Sequence, residues 1–165
     1  MIFPFNAGEV FKIALRIEDN GHLFYEKAAG KAFPEDIIQL FKGLAAEELS
    51  HKAIFNALLK KLPPATTAAT VWDPDNDLDK YLKAMADQHV FNQKPEVIEE
   101  KLSAVDTPAS AIKMAMGFEK DTIVLFLELQ SVTDDPASKA EITKLVNEER
   151  KHLARLTDKL QQVAG

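Results

Sequence analysis

The sequence predicts an all-α protein: a four-helix bundle with one long crossover between its second and third helices. Three observations predict it. Four long stretches carry helical apolar spacing and are bounded by proline, glycine and capping residues. The links within each successive pair are short, which makes paired helices antiparallel, whereas residues 63–106 separate the pairs. The second pair also repeats the first at a fixed offset, Glu48 and His51 recurring as Glu149 and His152.

Taken in order, Asn6 followed by Glu9 resembles a capping box, and apolar periodicity runs from about Ala7 to Ala29, where Gly30 offers a stop. The second helix starts at Pro34, with Glu35 and Asp36 in its dipole-favoured first turn. It runs to about Leu62 and ends before Pro63-Pro64, since proline lacks the amide proton a helix interior needs. In the connection, "WDPDND" reads as turn and N-cap chemistry, because it lacks the glycine and terminal glutamate of a calcium loop. A helix follows from Pro74 to about Phe91, and a shorter one from Pro95 to Leu102. Helices of about 25 residues span about 38 Å, so a connection this long can return the chain to the starting end of the bundle. The third long helix begins at Thr107-Pro108 and reaches about Val132. The fourth begins at "DDP", Asp134 to Pro136, and runs nearly to the C-terminus. The expected organisation is a single domain over 1–165: hairpin 1 at about 7–62, the crossover at about 63–106 and hairpin 2 at about 107–163.

Composition narrows the function. At 165 residues with 46% apolar content, the chain can bury a substantial core. A net charge of −6 without a basic stripe argues against nucleic acid. No apolar run reaches the about 18 residues that span a bilayer, and "MIFPFNAGEV" lacks the marks of a signal peptide, so a cytoplasmic location is expected. With no cysteine, thiolate metal sites and cysteine nucleophiles are excluded, leaving histidine and carboxylate as metal donors.

The repeat carries the chemistry. "LAAEELSH" (44–51) and "LVNEERKH" (145–152) each place two glutamates and a histidine inside an apolar helix. The same offset of 101 places Glu18 on Glu119, so each hairpin holds a glutamate on its first helix and a Glu-x-x-His on its second. Leu44, Glu48, His51, Phe55 and Leu58 follow the inward 4-3-4-3 stripe of a bundle helix, as do Leu145, Glu149, His152 and Leu156. Glu47 and Glu148 lie about 100° away, toward water or the bundle edge. Four inward carboxylates without partners would cost several kcal/mol each, and no inward lysine or arginine lies on these seams. Two divalent cations balance four carboxylates, with the histidines as neutral nitrogen donors. The repeated trios thus read as two halves of a dinuclear metal site. Iron, manganese and zinc all suit such donors.

At "ALRIEDNGHLFYEKAA", "LAAEELSHKAIF", "AMGFEKDTIVLF" and "VNEERKHLARL" the chain resembles the ferritin-like diiron carboxylate superfamily, and within it the rubrerythrin family. The resemblance covers essentially the whole chain. It implies two iron ions, with Glu18 and Glu119 as terminal ligands, Glu48 and Glu149 as bridges, and His51 and His152 on one iron each. It also implies that Tyr25, seven residues after Glu18, hydrogen-bonds near the diiron site. Two departures stand out. Thr122 occupies the position of an extra family glutamate, which makes the six-ligand set closer to a bacterioferritin ferroxidase centre. The cysteine-rich rubredoxin domain of rubrerythrins has no counterpart before the last residue, Gly165.

The expected function is a non-haem diiron oxidoreductase that reduces hydrogen peroxide or dioxygen. It would work as a homodimer or larger homo-oligomer, with electrons from a separate donor such as a rubredoxin-like protein. A ferroxidase handling iron, a dimanganese catalase-like site and a structural metal bundle are the alternatives. His22, four residues after Glu18, and His89 in the crossover are read as ordinary polar or surface residues.

Overall fold

The computed structural model describes residues 7–61, 94–131 and 133–164, together with the isolated positions 77, 80 and 84. Five helices are described: α1 (Ala7–Ala29), α2 (Glu35–Lys61), α3 (Pro95–Ser103), α4 (Pro108–Ser131) and α5 (Pro136–Ala164). No strand occurs among the described residues. The Asn6 cap, residues 72–76 of "WDPDND", the helix expected over 74–91 as a whole, and His89 lie outside them.

Local chemistry sets the helix ends within a residue or two of the expected positions. The Gly30 amide donates back to the carbonyls of Glu26 and Lys27, closing α1. Thr107 caps α4 reciprocally: the Ser110 amide donates to Thr107 Oγ1 and the Thr107 amide to Ser110 Oγ, each at 3.2 Å. At α5 the Ser138 amide donates to Asp135 Oδ2 at 2.7 Å. The Ser138 side chain, followed by that amide, holds the Asp135 carboxyl below its ordinary range.

α1 packs along α2 and α4 along α5, forming two antiparallel hairpins. Ring contacts give the order across them. Phe55 of α2 lies edge-on to Phe11 of α1 and Phe126 of α4, at 6.0 and 4.8 Å, while Phe24 of α1 meets Phe118 of α4 at 5.2 Å. α2 and α4 therefore run parallel, which is what a full-length crossover produces. α3 contributes Ile98 and Leu102 to the core, and Lys31 Nζ donates to the Val105 carbonyl at 2.7 Å, tying the end of the crossover to the first hairpin.

The apolar interior divides into two clusters. One gathers Phe24, Tyr25, Phe41, Leu44, Ile112 and Ala115 with α3, and the other gathers Phe11, Phe55, Leu58, Phe126, Ile142 and Leu145. Glu18, Glu48, His51, Glu119, Glu149 and His152, all buried, occupy the middle of the helices between those groups.

Candidate metal centre

The 4-3 stripe turns Glu48 and His51 of α2 inward on one side, and Glu149 and His152 of α5 on the other. Glu18 comes from α1 and Glu119 from α4. The structure brings all six residues together in two overlapping groups: Glu18, Glu48, His51 and Glu149, and Glu48, Glu119, Glu149 and His152. Within each group one donor atom per residue lies within 4.8 Å of the others. Glu48 and Glu149 belong to both.

The sharing is resolved oxygen by oxygen. Glu149 turns Oε1 to His51 Nδ1 at 2.7 Å and Oε2 to His152 Nδ1 at 2.9 Å. Glu48 does the same at longer range, Oε2 to His51 at 3.6 Å and Oε1 to His152 at 3.4 Å. Glu18 approaches only His51, at 3.5 Å, and Glu119 only His152, at 3.4 Å. The histidine rings stack at 5.3 Å with 14° between their planes.

Despite these distances, both oxygens of Glu18, both of Glu149 and the Nδ1 atoms of both histidines have no hydrogen-bond partner. Buried polar atoms without partners are rare, because each forfeits its hydration. Here one donor atom from each residue of a group lies within 4.8 Å of the others, as ligand atoms around a cation do, and the oxygen–nitrogen donor set suits a first-row divalent metal. The arrangement is therefore able to bind metal ions.

Electrostatics state the same need. Burial, followed by the nearby Glu48 and Glu149 carboxylates, pushes Glu18 well above the usual carboxylate range. Burial and Glu149 do the same to Glu119. Burial opposes a charged imidazole, yet the surrounding glutamates push His152 up to about 12 and His51 higher still. Against its own burial, Glu48 is held low by its contacts with Glu18 and the two histidines. Without metal, imidazolium and shared protons take over the role of positive charge.

The outer faces of the histidines hold what the seam argument missed. His51 Nε2–H donates to Glu148 Oε2 and His152 Nε2–H to Glu47 Oε2, both at 2.7 Å. Glu47 and Glu148 do stand at the bundle edge, with side chains nearly half exposed, but each reaches across to the histidine of the other hairpin. A carboxylate only accepts, so the proton belongs on Nε2, leaving the inward Nδ1 as the metal-facing atom. Arg155 grips Glu47 with two bonds, Nη1–Oε1 at 3.0 Å and Nη2–Oε2 at 2.5 Å. Although partial burial works the other way, Arg155 and His152 hold the Glu47 carboxyl below its usual range. The repeated Glu-Glu doublet was the available signal for Glu47 and Glu148. No local signal marks Arg155. A surface cleft between α2 and α5, lined by Glu47, Glu148, Lys151, Arg155 and Asp158, leads down to His51.

Tyr25, fully buried, donates its hydroxyl to Glu119 Oε1. Burial and the adjacent Glu119 and Glu48 carboxylates push its own ionisation well above the ordinary phenol value, so it stays a neutral donor. Thr122 is buried on α4, one turn from Glu119. His22 stays outside the cluster, with Nδ1 at 2.9 Å from the Ala45 carbonyl oxygen.

No curated protein sequence matches the chain. A crystal structure from Thermotoga maritima, described as a candidate ferritin-like diiron-carboxylate protein, superposes with a TM-score of 0.73. The two chains are 19% identical, and the match covers 99% of each, a likeness of fold. The Rubrerythrin family profile matches residues 9–160, a span holding all six clustered residues and Tyr25. The chain belongs to the rubrerythrin family.

Proposed function

We propose that the six clustered residues hold two iron ions and that the protein is a non-haem diiron oxidoreductase reducing hydrogen peroxide or dioxygen. The observation that carries this reading is the division of labour among the carboxylates. Glu48 and Glu149 each offer one oxygen to each half, while Glu18 and Glu119 serve one half apiece. Two cations would be held by such a set with Glu48 and Glu149 serving both and Glu18 and Glu119 serving one each. When bound, a ferrous pair supplies two electrons together, which matches the need of H₂O₂ + 2H⁺ + 2e⁻ → 2H₂O.

The chain's own residues do the rest. The two apolar clusters exclude bulk water from both ends of the site. Glu47 and Glu148 fix the histidine rings with Nδ1 inward. Tyr25 holds a proton at Glu119, on the inner wall. The electron donor is a separate protein or small molecule.

The test is anaerobic protein carrying two Fe(II) per chain, mixed rapidly with peroxide. One peroxide should disappear per iron pair, with a matching rise in ferric absorbance. Slow oxidation of one iron at a time would reject the reading.

Thr122, buried where rubrerythrins carry their extra glutamate, supports a second reading, a ferroxidase that hands ferric iron onward. Continued oxidation of many irons per chain, by an assembly sizing as a hollow cage, would favour it.

A further inference from the structure

We infer that the two metal positions fill in order, the Glu18–His51 position tightly and first, the Glu119–His152 position more weakly and second, because Tyr25 and Arg155 satisfy the carboxylates of the second half alone. This rests on the dinuclear reading above and extends it.

By ligand type the halves are equal: one terminal glutamate, one histidine and a share in two bridges. The 101-residue offset extends that equality to the outer carboxylates, since Glu47 corresponds to Glu148 and both bond a histidine at 2.7 Å. It breaks at two places. Tyr25 donates to Glu119, but its counterpart is Phe126, which has no hydroxyl to offer Glu18. Arg155 clamps Glu47, but its counterpart is Ile54, which offers nothing to Glu148.

Both breaks fall on the same half. Around His152 the terminal carboxylate has a donor and the outer carboxylate has a neutralising guanidinium. Around His51 neither Glu18 oxygen has a hydrogen-bond partner, and among the described residues Glu148 pairs with His51 alone.

A divalent ion at the His51 position thus meets one more uncompensated negative charge than at the His152 position. It also meets a terminal glutamate with both oxygens free. The opposing effect is rigidity: Arg155 and Tyr25 hold their carboxylates in place, which favours the second half. Charge outweighs it here. The Glu18 side chain is already fixed by complete burial, so the clamp adds little order that Glu18 lacks. The cationic guanidinium, by contrast, cancels the charge of Glu47, which an ion on His152 would otherwise feel through the imidazole ring. Partners of metal-bound histidines change affinity about 10- to 100-fold, and a gap of that order between the two steps is expected.

Titration of metal-free protein with cobalt(II) chloride, followed by calorimetry and visible absorption, measures both steps. The expected isotherm has two steps separated at least about tenfold. His51→Ala should abolish the tight step, and His152→Ala should spare it and remove the weak one. The double change Tyr25→Phe and Arg155→Ile, which copies Phe126 and Ile54 onto the second half, should tighten the weak step and narrow the gap. Tyr25→Phe alone, which keeps the ring packing, should narrow it partway. Two equal steps, a tight step lost with His152 rather than His51, or a gap unmoved by the double change would overturn the inference. Failure of the unaltered protein to bind two cobalt ions would instead overturn the dinuclear reading, and this inference with it.

Discussion

Raising the pH should unfold the metal-free protein and leave the metal-loaded protein almost untouched. In the folded, metal-free chain the glutamates push His152 up to about 12 and His51 further. In the unfolded chain both return to about 6.5. A raised folded-state value contributes stability that is fully present below about pH 6.5 and is lost as pH climbs toward the folded value. Across pH 7.5–8.5 the folded state therefore carries about two more protons than the unfolded state. Each is worth about 1.36 kcal/mol per pH unit, so stability should fall by about 2.7 kcal/mol over that unit. Glu18 and Glu119, also raised, push in the same direction wherever they remain protonated. A loss of this size is a large fraction of the about 5–15 kcal/mol that holds a domain together. With metal bound, Nδ1 carries no proton to lose, and the slope should vanish. Urea unfolding followed by far-UV circular dichroism, in chelator at pH 7.5 and 8.5, measures the difference directly. A metal-free protein whose stability is flat or rises over this interval would refute the charge argument.

Three further outcomes follow from the packing and the sharing of oxygens. Glu48→Ala or Glu149→Ala removes a donor from both groups and should take metal content from about two ions per chain to well below one by elemental analysis. Glu18→Ala touches one group and should leave about one. Phe55→Ala empties a fully buried position between Phe11 and Phe126, and should cost about 3–5 kcal/mol in thermal unfolding of the loaded protein.

The six clustered residues were legible because two independent regularities agreed on them. The 4-3 stripe says which side chains turn inward, and the gapless offset says which ones act as counterparts. The long helices were legible from their caps, since the Thr107–Ser110 and Asp135–Ser138 bonds are local chemistry between near neighbours. Glu47 and Glu148 escaped because periodicity assigns a direction to the start of a side chain, not to its end. From the bundle edge each carboxylate curls back to a histidine on the facing helix. Arg155 escaped for a different reason. Its bonds to Glu47 depend on how α2 and α5 slide against each other, a register set by tertiary packing and written in no short stretch. The same holds for Tyr25: the sequence places it near Glu18 on α1, while its hydroxyl goes to Glu119 on the other hairpin.

The two apolar clusters sit at opposite ends of the bundle, and the charged residues form its waist. Such a bundle is clasped top and bottom, on either side of the charged residues. On the dinuclear reading, withdrawing the ions at neutral pH should leave the clasps closed and the cradle in shape for its next load. If the centre holds ions, the cleft between α2 and α5, flanked by Glu47 and Glu148 like doorposts, offers them a sideways way in that does not need the helices to come apart.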